Sequence, residues 1–176
     1  LNPSLHDGKR CLKFMGRIGC KAALALAANS DPGHDTDEDV MLEPLMEAIQ
    51  GALSAQLDER DMSCSVICGE LSVTADPALL YRVFFNLMEN ACKYGKQEGS
   101  ICITGSRGDD GIYVCVLDDG LGIPQEHIPY IFDAFYRVDK SRSREIGGAG
   151  LGLSIVKTMV ESIGGTISAE NGGGAG

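Results

Sequence analysis

Asn86, Asn90 and Lys93 stand at i, i+4 and i+7 within the stretch PALLYRVFFNLMENACKY, and so stack on one face of a helix. Asparagine is a poor helix former, because its amide competes for backbone hydrogen bonds. Two of them one turn apart, followed by a lysine, ask for a reason. A carboxamide oxygen can ligate Mg²⁺, an ion that takes oxygen ligands while keeping waters and substrate phosphates. A lysine beside it can meet a phosphate as a point charge. A solvated polar face would use the same residue types.

Three further runs lie downstream. Asp118-Asp119-Gly120-Leu121-Gly122-Ile123-Pro124 follows a strand-like segment. A carboxylate at a strand end can accept a hydrogen bond from an exocyclic amine, and glycines let the backbone turn beside a flat ring; a plain Asp-Gly turn is the alternative. Ile131 to Asp139 holds Phe132, Phe135 and Tyr136 ahead of Arg137. It suits either a lid hinged on apolar anchors or a satellite core under a loop. Gly147-Gly148-Ala149-Gly150-Leu151-Gly152-Leu153 leads into a helical pattern, where free backbone N–H groups and the helix dipole favour an anion. It has neither the dinucleotide nor the Walker spacing.

Elements to hold these groups are legible around them. Asp76-Pro77 marks a helix start, and Leu79, Leu80, Val83, Phe84, Leu87, Met88 and Ala91 give that helix one apolar face ending near Gly95. Ile101–Ser106 and Ile112–Leu117 alternate as an antiparallel pair turned at Gly108-Asp109-Asp110-Gly111. Short strands are expected at Cys64–Cys68, Leu71–Thr74 and Thr166–Ala169, with helices over Glu43–Leu57 and Gly150–Ile163. Gly8–Ala28 has helical spacing in Leu12, Met15, Ile18, Ala22, Ala25 and Leu26, and Asn29–Asp39 reads as a polar linker. The expected architecture is a two-layer α/β sandwich, a mixed sheet covered by helices on one face and preceded by a helical segment. Residues 1–39 divide from a domain over 40–176.

Composition narrows the chemistry. The 176 residues carry a net charge of −10, and no basic stripe offers a nucleic acid its counterion exchange. Arg137, Lys140, Arg142 and Arg144 cluster as if for one compact anion. No apolar run suits a membrane span. Seven scattered cysteines lack zinc or C-x-x-C spacing, so Cys102 and Cys115 read as buried hydrophobes in a reducing, cytoplasmic setting. A start at Leu1 rather than Met suggests a piece of a longer polypeptide.

In order and spacing the four motifs resemble those of sensor histidine kinases: Asn86–Tyr94 their N box, Asp118–Pro124 their G1 box, Phe132–Arg137 their F box and Gly148–Leu153 their G2 box. The likeness spans roughly Glu43 to Asn171. It implies the ATP-binding fold shared with gyrase B, Hsp90 and MutL, with ATP and Mg²⁺ bound. Asn90 would be the metal ligand and Asn86 its neighbour, with Lys93, Tyr94 and Arg137 near phosphates and ribose; Asn90, Lys93 and Arg137 would carry catalysis. Asp118 would take the adenine amino group, and Gly120 and Gly122 would flank the ring. Gly148, Gly150 and Gly152 would shape a lid, and Ile123, Phe135, Leu151 and Leu153 complete the binding set.

The resemblance also implies partners: a helical hairpin bearing the acceptor histidine, and a response regulator whose aspartate receives the phosphoryl group. The acceptor motif is not found. His6 has suggestive neighbours, while His34 and His127 read as solvated surface residues, so the acceptor is expected outside this chain. Gly8–Ala28 resembles the hairpin's second helix. The family's closing strand after the glycine-rich turn is also missing, so an uncovered sheet edge is expected. Gyrase-type ATPases carry a glutamate one helical turn before the metal asparagine; Asn86 stands there, which disfavours hydrolysis. A non-catalytic nucleotide-binding module is the remaining alternative.

Overall fold

The computed structural model describes residues 20–27, 35–138 and 149–171. Among the described residues, seven strands and four α-helices follow in the order β1 Cys20–Ala27, β2 Glu38–Met41, α1 Leu42–Ala52, α2 Ser54–Glu59, β3 Ser63–Ile67, β4 Ser72–Ala75, α3 Pro77–Tyr94, β5 Ser100–Arg107, β6 Gly111–Asp118, α4 Gly152–Ser162 and β7 Thr166–Asn171, with a short 3-10 helix at Ile128–Tyr130. A five-stranded sheet runs β3-β5-β6-β1-β7, and β2 and β4 form a separate ladder. The β3–β5 pair is parallel and the other three are antiparallel, the mixed sheet expected from the sequence.

Local chemistry explains the principal elements. Asp76 caps α3, its Oδ1 accepting from Ala78 N at 2.8 Å and Leu79 N at 3.4 Å, with Pro77 in the first turn. Leu80, Val83, Phe84, Leu87, Met88, Ala91 and Cys92 then bury one face of the helix. They pack in a single core with Ile101 and Ile103 of β5, Ile112, Val114 and Val116 of β6, and Val156 and Val160 of α4. A smaller cluster on the other sheet face holds Cys102, Cys115 and Leu117; both cysteines are buried as read, but Cys102 is disulfide-bonded, which corrects the expectation of plain buried thiols in a reducing setting. The helix expected over Glu43–Leu57 is two helices, broken at Leu53, whose N–H still bonds Ile49 and Gln50 carbonyls.

The N-terminal expectation needs correction. Residues 20–27 are not the end of a helix; they are β1, paired with β6 on one side and β7 on the other. Cys20, Ala22, Leu24 and Leu26 share the helix-facing side, where Leu24 and Leu26 are only 1% and 2% exposed. The period of two competes with the helical spacing of the same alanines and leucines, and a central sheet position outweighs their helix propensity. Two consequences follow. A strand lies between β6 and β7, and β7 itself ends the sheet, paired only with β1 among the described strands. The division at residue 39 also fails for β1, which shares the core of the sheet. Gly8 to Gly19, including the rest of that expected helix, lie outside the described residues, as does most of the polar linker.

Candidate functional site

The four motifs converge at one end of the sheet. Helix α3 presents Asn86, Asn90 and Lys93. Asn86 back-bonds through Nδ2 to Arg82 O at 2.7 Å, which leaves its Oδ1 turned to the start of α4: a Cβ built on Gly152 would lie 3.3 Å from it. Asn90 is half-buried, and its side chain makes no hydrogen bond among the described residues. Its carboxamide oxygen is therefore free to ligate a hard cation. Lys93 is already engaged, its Nζ 2.9 Å from Glu89 Oε2 one turn earlier. Tyr94 ends the helix, 60% exposed.

The turn after β6 folds against that helix end. A Cβ on Gly120 would stand 2.9 Å from both Asp118 Oδ1 and Tyr94 O, so only glycine lets the two segments meet. Gly120 N–H donates to Asp118 Oδ1 at 2.8 Å, and Gly122 takes φ +78°. Burial pushes the Asp118 carboxyl up to about 6; backbone N–H donors at Gly120 and Cys20 oppose the rise, and the Asp119 charge adds to it. Asp119 does different work. Its Oδ1 accepts from Ser100 N at 2.8 Å and its Oδ2 lies 3.2 Å from Lys96 Nζ, so it fixes the mouth of β5. Its neighbour's motif hid that role from sequence reasoning.

The aromatic run and the glycine-rich run are joined. Phe135 N–H donates to Gly150 O at 2.9 Å. Gly150 has φ +71°, and a Cβ there would meet Tyr136 O at 3.0 Å and Arg137 Cγ at 3.2 Å. Phe135 itself has φ +65° and is 71% exposed, which fits a hinged lid better than a satellite core. Tyr136 stacks at a tilt on Tyr130 and meets His127, with Oη 2.5 Å from Nδ1. His127 is thus half-buried and partnered, not the solvated residue expected; a loop position gave no hint of that clasp. Leu151 caps α4, and Leu153 packs against the core. Gly147, Gly148, Lys140, Arg142, Arg144, His6 and His34 lie outside the described residues.

A cavity of about 360 Å³ lies elsewhere, between α1, α2 and β3, and is lined by Glu47 and Asp58 with no cation among its residues. It suits no phosphate. Among the described residues, α3, the Asp118 turn and the start of α4 bring together a carboxamide that could take a hard cation and backbone N–H groups that could take an anion.

Residues 75–176 match the family described as histidine kinase-, DNA gyrase B-, and HSP90-like ATPase. The chain belongs to that family. Relatives that it resembles are sensor kinases. The sensor histidine kinase WalK of Bacillus subtilis is 40% identical over 104 residues, 58% of this chain and 17% of WalK. The sensor protein CiaH of Streptococcus pneumoniae is 41% identical over 100 residues, 57% of this chain and 22% of CiaH. The chain thus spans about a fifth of the length of these relatives. Among solved structures, the catalytic domain of histidine kinase ThkA superposes with a TM-score of 0.64 at 23% identity, covering 76% of this chain and 92% of that one. Full-length ShkA in complex with AMPPNP gives 0.65 at 24%, covering 80% of this chain and 31% of ShkA. These two show the family fold. Among the described residues no helix is long and apolar enough to cross a membrane.

Proposed function

We propose that this domain binds Mg-ATP and transfers the γ-phosphoryl group to a histidine on a helical hairpin lying outside this chain, for relay to a response-regulator aspartate. The observation that carries the reading is the contact of Asn86 with Gly152. It brings the face with the candidate metal ligand to the helix start that can cradle phosphates. ThkA, a structural neighbour, has been solved in complex with the response regulator TrrA, and ShkA with AMPPNP; those partners are assigned here by likeness.

Mg²⁺, held by Asn90, would neutralise charge building on the phosphates, as in other phosphoryl transfers. The chain's own residues do the rest. The N–H groups at Gly150 to Gly152 meet the phosphates, and Lys93 exchanges its Glu89 partner for one of them. Tyr94 and Arg137 flank the ribose and phosphates. Asp118 accepts from the adenine amino group, Gly120, Gly122 and Ile123 form the wall beside the ring, and Phe135 and Leu151 stand at the lid, with Leu153 anchoring the start of α4 in the core. Asn86 occupies the position a hydrolytic glutamate would need, so transfer is favoured over ATP hydrolysis.

Titration with ATP, with and without Mg²⁺, tests the reading in wild type and Asn90→Ala. Wild type should bind more tightly with the metal, and the variant should lose that increment. Equal binding in all four measurements removes Asn90 as the ligand. Incubation with a separate acceptor hairpin and labelled ATP should then label its histidine.

A further inference from the structure

Asn171, the last residue of β7, lies outside all four motifs, yet its carboxamide is spent entirely on one residue of the Asp118 turn. Ile123 N–H donates to Asn171 Oδ1 at 2.8 Å, and Asn171 Nδ2 donates to Ile123 O at 2.5 Å. One side-chain amide thus matches both the donor and the acceptor of a single backbone residue, which fixes the orientation of Ile123 as well as its position.

The register shows what this clamp spans. Asp118 stands opposite Cys20, and Cys20 opposite Asn171. The three therefore form one transverse row across β6, β1 and β7 with side chains on the same sheet face. Adjacent strands are about 4.8 Å apart, so the row places Asn171 roughly 10 Å from Asp118. The turn leaves β6 at Asp118, where Gly120 N–H is held by the carboxylate. It reaches the end of β7 at Ile123. Between these anchors it passes over the end of β1 and Cys20, with Gly122 in the left-handed conformation. A turn fixed at both ends beside a carboxylate has its backbone placed relative to that carboxylate by each anchor.

We propose that Asn171 is a positioning residue for the nucleotide base: by holding Ile123 it sets the gap between the turn and Asp118, and with it the preference for adenine over guanine. This rests on the nucleotide reading above. Its carboxamide holds the Asp118 turn through Ile123 rather than the start of α4, so its loss should act on base discrimination and spare the phosphate contacts.

The experiment titrates the full 176-residue chain with Mg-ATP and Mg-GTP, in wild type, Asn171→Ala and Asn171→Asp, alongside melting curves. The aspartate keeps the acceptor for Ile123 N–H but sets a second acceptor against its carbonyl, so it preserves size and tests the clamp if the alanine variant folds poorly. Losing the two hydrogen bonds should weaken ATP binding about tenfold while GTP binding changes little, so the ATP/GTP ratio falls by a similar factor. An unchanged ratio overturns the proposal, whether both nucleotides bind as in wild type or both weaken equally as a purely structural residue would cause. In either case wild-type ATP binding leaves the nucleotide reading standing. Absence of ATP binding by wild type removes both.

Discussion

Gly152 opens α4 directly against Asn86, with room for a Cβ only 3.3 Å from the asparagine Oδ1. That distance lets alanine in only if the carboxamide yields by a few tenths of an ångström. Asn86 is half-buried and held by one bond to Arg82 O, so it can swing aside. Gly152→Ala should therefore leave stability within about 1 kcal/mol, the helix-propensity gain offsetting the contact. ATP affinity should drop, because the added methyl group occupies the space between ligand face and cradle. Paired thermal melts and ATP titrations check this; a variant that binds ATP as wild type does would dissociate that contact from the site.

Gly150 makes the opposite case. Its φ of +71° and the backbone of Phe135 and Tyr136 close around it leave no compliant neighbour. Gly150→Ala should cost about 1–2 kcal/mol from the left-handed conformation alone, and more from the contacts. Chemical denaturation should register the loss, and Gly164→Ala is the control. It shares a positive φ of +72° but has nothing within 4 Å of its Cβ position. The control should therefore lose only the conformational part.

Asp118 should make stability depend on pH in an unusual direction. Its folded value of about 6 stands above the ordinary aspartate value of 3.8, so the native state binds more protons than the unfolded state between those limits. Stability gained from this group is present below about pH 4 and is lost as pH rises through about 6. Asp118→Asn keeps the acceptor for Gly120 N–H and removes the buried charge. It should raise stability at pH 7.5 by up to about 3 kcal/mol while weakening ATP binding. Wild-type affinity should also fall on acidification below pH 6, and the variant's should not. Melting curves and titrations over pH 5–8 separate the two effects.

β1 should behave as part of the core. Leu24 is 1% exposed between β6 and β7. Leu24→Ala should cost about 2–5 kcal/mol, as buried leucine truncations do. Lys21→Ala, which removes a pair with the largely exposed Glu170, should cost under about 1 kcal/mol. Urea midpoints of the two variants decide it; equal midpoints would mean that β1 contributes little to the sheet.

The sequence by itself determined the motifs and the elements whose signals are local. Asp76-Pro77 and the apolar face behind it specify α3, because cap and periodicity are written within one helix. The β5–β6 hairpin follows from alternation around a turn. Gly120 and Gly150 could be named as site glycines, since positive φ and close approach restrict the residue type. Tertiary structure alone decided what depends on partners distant in the chain. The stretch Cys20–Ala27 satisfies both a helical and an alternating pattern, and only a place between β6 and β7 resolves it. Asp118 and Asp119 are adjacent and identical in type, yet burial and neighbours send one toward the site and the other to Ser100 and Lys96. Asn171 carries no local signal, because its partner Ile123 is 48 residues away, and pairings at that separation leave no periodicity to read.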